Sequence, residues 1–374
     1  MSYWQFRLRL YNESLKQWLE SVKQISYGLV ALFPLAVPAL IFLPFVAWGI
    51  LADPASEQTR YVNTLWGYLL FVYAWMHLQH HGIVATQHHY YVASLPTTDS
   101  KKQWVELGLI VYGANILLLG PLYLLLSMLY QQANTLWQLP LAFVVEQLTP
   151  ILGLIALVSY YCVAAVRVST LPWLSLLLMP LFVLPWVTEL AKGQCLVLWC
   201  AAILVERQLS LPRFKLGSWP TGFYRLQLQA DIYSPRSESL RFVGVLLVSI
   251  LLGLMFHGVK PEAQSYVAGF LSFCAALIMA SSLFDALSLI ERYQGYFNSL
   301  PVSTVKRLSQ CVCYVLCKAI PGLLLLAYIG VFTAMHWGLW LVFYVTSLMG
   351  IMHRPKWFFI WPVVSAIVLF LLVA

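Results

Sequence analysis

Apolar residues run through this chain in long unbroken blocks, separated by short polar stretches rich in Arg, Lys, Ser and Pro. A helical bilayer crossing takes about 20 apolar residues, and a hydropathy reading finds about ten or eleven such blocks. They lie near 27–51, 63–87, 105–130, 139–166, 171–189, 194–206, 241–257, 264–290, 308–335, 337–352 and 357–374. Continuous Leu, Val, Ile and aromatic runs predict helices, because a membrane barrel would show short alternating segments. The predicted fold is all-α: a polytopic helical membrane protein of about 10–11 transmembrane helices.

The opening residues follow a different rhythm. Trp4, Leu8, Tyr11, Leu15, Trp18, Leu19 and Val22 recur at helical spacing, while Arg7, Arg9, Glu13, Lys16, Glu20 and Lys23 largely take other faces. That pattern predicts an amphipathic helix lying in the membrane interface. The first apolar block follows it and is long enough to stay in the bilayer, so the chain is expected to keep its start.

Two polar stretches match each other. His88, Tyr91, Ser94, Leu95, Pro96, Thr98, Lys101 and Lys102 lie between apolar blocks, and Tyr293, Tyr296, Ser299, Leu300, Pro301, Ser303, Lys306 and Arg307 follow at a constant offset of 205 positions. Tyr stands over Tyr, Ser-Leu-Pro over Ser-Leu-Pro, hydroxyl over hydroxyl, and a basic pair over a basic pair. Ser210-Leu211-Pro212 repeats the tripeptide without its flanks, so the extended pattern carries the argument. Proline disfavours helix in the residue before it and fixes its own φ. Thr98 or Asp99, and Ser303, can then cap the helix that follows. The result is a stiff knuckle between helices.

A weaker repeat joins it: Phe6-Arg7-Leu8-Arg9-Leu10 and Tyr224-Arg225-Leu226-Gln227-Leu228 share an aromatic, an Arg and spaced leucines. Two pseudo-repeated halves follow, each with an interfacial elbow, two spans, a knuckle and further spans. We read 1–206 as the first transmembrane half with its interfacial helix. Residues 207–240, with Pro212, Gly217, Pro220, Gly222 and Pro235, are read as a cytoplasmic connector carrying the second elbow, and 241–374 as the second half.

Composition agrees, with 61% hydrophobic and 10% charged residues and a mean hydropathy of +0.78, outside the soluble globular range. With the N-terminus in the cytoplasm, cytoplasmic segments hold most of the cations and the opposite side only Arg60, Lys192 and Lys260, as the positive-inside rule asks. The net charge of +8 therefore faces anionic lipid and signals no nucleic-acid partner. Both knuckles face the cytoplasm in this orientation. The 7 cysteines form no Cys-x-x-Cys pair and read as small buried apolar residues.

On the knuckle residues the chain resembles bacterial permeases of the ABC-2 type, which begin with an interfacial helix and two spans. In these permeases a cytoplasmic loop follows, carrying Leu-Pro, a hydroxyl and a basic residue. It is most similar to fused, EcsB-like permeases, in which one chain supplies both halves. The resemblance implies that the two loops contact a separate P-loop ATPase, in two copies, through Tyr91, Ser94, Leu95, Pro96, Thr98, Lys101 and Lys102, and through Tyr296, Ser299, Leu300, Pro301, Ser303, Lys306 and Arg307. It also implies export across a bacterial inner membrane, with ATP and Mg held by the partner and no cofactor in this chain. No Gly-x-x-x-x-Gly-Lys-Ser/Thr occurs here, and no hydrolase or metalloprotease motif either, so the chain itself reads as a non-enzyme.

Two other constellations compete. His77, His81 and His88 would share one narrow face of a continuous helix, which makes a membrane metal or haem protein an alternative. Asp285 and Lys318 stand at comparable depth in neighbouring spans, and intramembrane charges usually find partners. They are the expected ion pair, and Asp285 keeps a proton-coupled carrier among the readings.

Overall fold

The structure, a computed structural model, describes residues 2–32, 36–53, 55–131, 148–168, 171–180, 190–208, 223–233, 236–258, 260–299, 303–354, 358 and 360–373. Every regular element among them is a helix. The chain forms two compact units, Met1–Val22 with Ala39–Pro212, and Lys23–Pro38 with Arg213–Ala374.

In the first unit lie α1 (Tyr3–Leu32) up to Val22, α2 (Ala36–Ala52) from Ala39, α3 (Gln58–Leu78), α4 (His80–Val84) and α5 (His89–Ser94). They are followed by α6 (Asp99–Gln131), α7 (Thr149–Arg167), a π-turn at Leu174–Leu178 and α8 (Lys192–Gln208). The second holds α9 (Phe223–Tyr233), α10 (Arg236–Gly258), α11 (Pro261–Ala280), α12 (Ser282–Arg292), α13 (Gln294–Ser299), α14 (Thr304–Ile329), α15 (Ala334–His353) and α16 (Ile360–Val373).

Five described segments are long and apolar enough to cross a bilayer: Asp99–Ser127, Thr149–Arg167, Gln264–Arg292, Thr304–Ile329 and Ala334–His353. The chain is thus an all-α, polytopic membrane protein, in which helices satisfy every interior backbone group that lipid cannot. Local chemistry marks the ends. Pro150 and Pro261 sit in the first turns of α7 and α11, where a missing N–H costs nothing. Gly330 closes α14 at φ 69°, the left-handed corner that glycine enters without penalty.

The same order recurs in both units. A long helix stops, two short ones follow, then a connection and a long returning helix: α3, α4, α5, α6 in one, and α11, α12, α13, α14 in the other. Packing partners correspond too. α3 packs on α6 and α7 as α11 packs on α14 and α15, and α4 touches α6 and α7 as α12 touches α14 and α15. The first core is built on Tyr61, Leu65, Leu69, Tyr73, Met76, Tyr161 and Trp199, all fully buried. The second centres on Phe273, Phe343, Tyr344 and Leu348, with Phe273 and Phe343 edge to face at 5.2 Å.

The breaks revise the sequence expectation. The apolar block at 63–87 was expected to be a continuous span, yet α3 ends at Leu78, whereas the block at 264–290 lies within the span-length segment Gln264–Arg292, which turns at Ser281 where α11 gives way to α12. Ser281 and Ser282 hydroxyls donate back to the Ile278 and Met279 carbonyls at 2.7 and 2.8 Å, a contact that bends helices. In the first unit Gln79 is the joint, and α4 then closes at Ala85 in the left-handed region, φ 54°. The block at 27–51 holds the end of α1 and all but the last residue of α2, with residues 33–35 outside the described residues. Residues 209–222, 234 and 235 of the connector, and parts of the blocks at 139–166 and 171–189, lie outside the described residues.

Candidate functional site: the two turns and the helix breaks behind them

The short helix before each knuckle ends on the same bond. The Ser94 hydroxyl donates to the Tyr91 carbonyl at 2.8 Å, and the Ser299 hydroxyl to the Tyr296 carbonyl at 2.7 Å. Leu95 then turns extended, φ −68° and ψ 137°, as a residue before proline must. Ser303 caps α14, accepting from the Lys306 amide at 3.4 Å. At the first knuckle the Thr98 carbonyl accepts from the Lys102 amide at 3.1 Å, and Lys102 pairs with Asp99 at 3.8 Å. Leu300 and Pro301 lie outside the described residues.

Both knuckles present their chemistry outward. Ser94, Pro96, Thr98 and Lys101 are exposed, as are Ser299, Ser303 and Lys306, with Leu95, Lys102 and Arg307 half-buried. Large apolar side chains surround them: Tyr91 is 57% and Tyr296 56% exposed, and Trp104 and Val305 are open as well. Arg307 reaches back to the Asn298 side chain at 3.3 Å.

Elbow helices brace both turns from behind. Phe6 of α1 meets Tyr91 edge on at 5.6 Å, and Phe223 of α9 meets the buried Phe297 of α13 at 5.9 Å. Each elbow also sends one buried polar side chain to the backbone of the short helix after the break. Arg7 donates to the Ile83 carbonyl, and Gln227 to the Ala286 carbonyl at 3.1 Å. Burial pulls the Arg7 guanidinium below its usual value, although a guanidinium stays charged at any working pH. The Ile83 carbonyl sits in the last turn of α4, where no intrahelical donor remains, so Arg7 answers a need set by the short helix.

The first break is held by neutral groups. The Tyr11 hydroxyl donates to Gln79 Oε1, and burial pushes the Tyr11 phenol up to about 12, so it keeps its proton. The Gly113 carbonyl accepts from Trp75 Nε1 at 3.1 Å and from Gln79 Nε2 at 3.5 Å. Gly113 allows this approach, for a Cβ there would stand 2.8 Å from Gln79 Oε1 and 3.0 Å from the Tyr11 oxygen. Its carbonyl is free because α6 kinks at Asn115, φ 28° and ψ −104°. A turn later, Pro121 has no N–H to offer the Leu117 carbonyl. The Tyr68 hydroxyl supplies the donor at 2.5 Å, itself accepting from Trp48 Nε1 at 2.9 Å.

The second break is held by charges. Arg241 of α10 donates through Nε to the Ser281 hydroxyl at 2.9 Å and through Nη2 to the Ser281 carbonyl at 3.1 Å. Its Nη1 meets Asp285 at 2.8 Å and also Glu238. Lys318 of α14 bridges Glu238 at 2.5 Å and Asp231 of α9 at 2.9 Å, and the Tyr314 hydroxyl also donates to Asp231. Two cations and three carboxylates thus tie the second elbow, α10, the break and α14 together. The expected direct pair of Asp285 with Lys318 is absent: Arg241 takes the first and Asp231 the second, with Glu238 shared between the cations. Ser237 adds a 2.7 Å bond to Asp285.

The histidines do not converge. The continuous helix that would align His77, His81 and His88 is interrupted at Gln79 and closed at Ala85. His77 is buried and stacks on Tyr73 at 5.6 Å, whereas His81 is exposed and meets the Thr86 hydroxyl at 3.0 Å. No group of three metal-ligating side chains occurs among the described residues. Cys162, Cys195 and Cys311 are buried as expected, while Cys313 and Cys317 are exposed on α14.

Sequence reasoning missed Arg241, Glu238, Asp231, Gln79 and Tyr68. Arg241 and Glu238 had a visible signal, as charges three residues apart at the head of an apolar block. Tyr68 had one only in Pro121, whose missing donor implies a carbonyl in need of a partner four residues earlier.

The chain belongs to a family of unknown function, DUF6136, whose pattern matches residues 1–372. No curated protein and no solved structure matches it.

Proposed function

We propose that the protein is the membrane-spanning permease subunit of an ABC-2-like transporter, coupled to a separate P-loop ATPase through its two knuckles. The observation that carries the reading is repetition of one device. Twice the chain breaks a helix, ends a short one on a serine, follows it with a turn flanked by an exposed aromatic and an exposed Lys, and braces it with an elbow aromatic. A turn that only connects two helices needs no exposed Tyr and no brace. A turn that receives force from a partner needs both, because a loose loop would absorb the displacement.

In this reading the N-terminus and both knuckles are cytoplasmic, the membrane is the bacterial inner membrane, and the direction is export. Two ATPase copies engage Lys101 and Lys306. On nucleotide binding they close, displace the turns, and shift α6 and α14, which start directly behind them. Hydrolysis of ATP with Mg takes place on the partner.

The test is charge reversal. Lys101→Glu combined with Lys306→Glu should weaken co-purification of a P-loop ATPase by about tenfold or more, the usual effect of reversing interfacial charges, while leaving membrane insertion unchanged. Unaltered recovery of the ATPase, or the lack of any P-loop ATPase in the wild-type preparation, would sink the assignment.

A further inference from the structure

The two breaks are closed by different means, and the difference leaves a space at the first. At the constant offset of 205 positions, Ala36, His80 and Gly113 stand where the second unit has Arg241, Asp285 and Lys318, so these members of the ion cluster have no equivalent there. Beside the first break, between α1 and α4, lies instead a pocket of about 290 Å³, at the small end of the range that holds a ligand. The two helices touch at Gly82, where a Cβ would stand 3.2 Å from Ser14 Cβ, and the pocket opens along that contact.

Its lining divides by chemistry. Leu10 and Trp18 of α1 give it an apolar wall. Its exposed polar residues are Ser14 and Gln17 of α1, His81 of α4, and His88 of the short turn that follows. His81 and His88 thus line one pocket although they share no helix face. The buried Tyr11 and Gln79 also line it, but they are bonded to each other and to the Gly113 carbonyl. The Ser14 hydroxyl donates to the Leu10 carbonyl at 3.0 Å, which leaves the imidazoles and the Gln17 amide as donors. The Thr86 hydroxyl meets His81 Nδ1 at 3.0 Å. When that hydroxyl donates, the ring proton sits on Nε2, the nitrogen left for an occupant.

The donor set narrows the occupant. No carboxylate lines the pocket among the described residues, so nothing there repels an anion. Two imidazoles fall short of the three or four ligands that a metal ion asks for. An apolar wall beside ring donors suits an amphiphile with an anionic head. The place agrees, because an amphipathic interfacial helix such as α1 lies at the boundary of headgroups and acyl chains. Arg9 and Lys16 are exposed on that helix and draw anionic lipid towards it. We propose that the pocket binds a phosphate group, of a lipid headgroup or of free phosphate, which accepts from His81 Nε2 and from the His88 ring; a lipid's apolar part would lie on Leu10 and Trp18. This site goes beyond the coupling role and does not depend on it.

The experiment uses the full chain in maltoside micelles, whose detergent carries no phosphate, and needs no ATPase. The probes are a phosphatidic acid and a diacylglycerol with the same diazirine-bearing acyl chain, which differ by the phosphate alone. Crosslinked peptides are mapped by mass spectrometry. Phosphatidic acid should label segments 10–18 and 78–88, which hold the pocket residues, about tenfold more than diacylglycerol, the ratio that one hydrogen bond to a charged group supplies. His81→Ala combined with His88→Ala changes two exposed side chains and should bring that ratio close to one. Lys16→Gln, on the same helix but outside the pocket lining, should leave most of it. Millimolar inorganic phosphate separates the two sources: labelling that persists makes the lipid headgroup the ligand, and labelling lost to competition makes free phosphate the ligand of the same imidazoles. Equal labelling by the two probes, or a preference that survives the loss of both imidazoles, would overturn the proposal.

Discussion

Replacing Arg241 with Leu removes the residue that joins the second helix break to its neighbours, and the contacts around it set the expected cost. Losing one partner of a buried ion pair costs about 3–5 kcal/mol. Here two features reduce that figure. Asp285 is 39% exposed in its side chain, so its stranded charge is screened and its share falls to about 0–1 kcal/mol. Glu238 keeps Lys318 at 2.5 Å. What remains is the Ser281 carbonyl, left without the Arg241 donor at the break, worth about 1–3 kcal/mol, and an excess of negative charge around Glu238. The expected destabilisation is about 3 kcal/mol.

The excess charge supplies the sharper test. Arg241→Leu leaves one cation facing three carboxylates, and Glu238→Gln removes one of the three. The double variant should be less destabilised than the two single ones together by about 1–2 kcal/mol, well above the additivity error of about 0.5 kcal/mol for independent sites. Unfolding of all four proteins in mixed micelles, followed by tryptophan fluorescence, measures this coupling. A double variant whose loss equals the sum of the singles would show that Glu238 and Arg241 do not share one electrostatic cluster, and the account of the second break would fail.

Two neutral contacts of the first unit give further predictions. Tyr68→Phe should cost about 1–3 kcal/mol by stranding the Leu117 carbonyl. The loss should shrink in a Pro121→Ala background, where a restored N–H can reach that carbonyl; an equal loss in both backgrounds would show that Tyr68 acts through packing alone. Burial raises the Tyr11 phenol from its ordinary 10.0 to about 12, so folding favours its protonated form. Its contribution is complete below about pH 10 and is lost as pH rises towards 12. The stability gap between wild type and Tyr11→Phe should therefore narrow over that interval, and a constant gap would show that the Tyr11 proton does not hold the elbow.

Hydropathy exposed the helical class, the positions of most long helices and both knuckles, because each rests on patterns local in sequence: apolar runs, a proline, a cap and a basic pair. The Ser94 and Ser299 bonds needed only a hydroxyl three residues after the carbonyl it meets. The breaks at Gln79 and Ser281 were hidden, since an apolar block reads as continuous whether or not its helix is. Side chains distant in sequence stabilise both of them, 68 residues away for Tyr11 and 40 for Arg241. The ion pair illustrates the same limit. Depth brought Asp285 and Lys318 together as candidates, but their partners followed from the angular positions of Arg241, Asp231 and Glu238 around three other helices, which only packing sets.

The repeat also separates what the architecture requires from what each unit adds. An elbow ring against the knuckle and one buried elbow side chain on a backbone carbonyl occur twice, with Phe6 and Arg7 in one unit and Phe223 and Gln227 in the other. The chemistry at the break occurs once each: neutral hydrogen bonds among Tyr11, Gln79 and Gly113, and ions around Arg241. A hydrogen bond between neutral groups gains little from a change in surrounding charge, whereas a cluster of two cations and three carboxylates responds to any proton or ion that reaches it. The second break is therefore the one whose stiffness solution conditions can tune. It lies in the unit where α14 and α15 hardly approach one another, and α14, which starts at the second knuckle, carries Lys318 of the cluster. A shift of α14 at that knuckle would then strain the ion cluster directly.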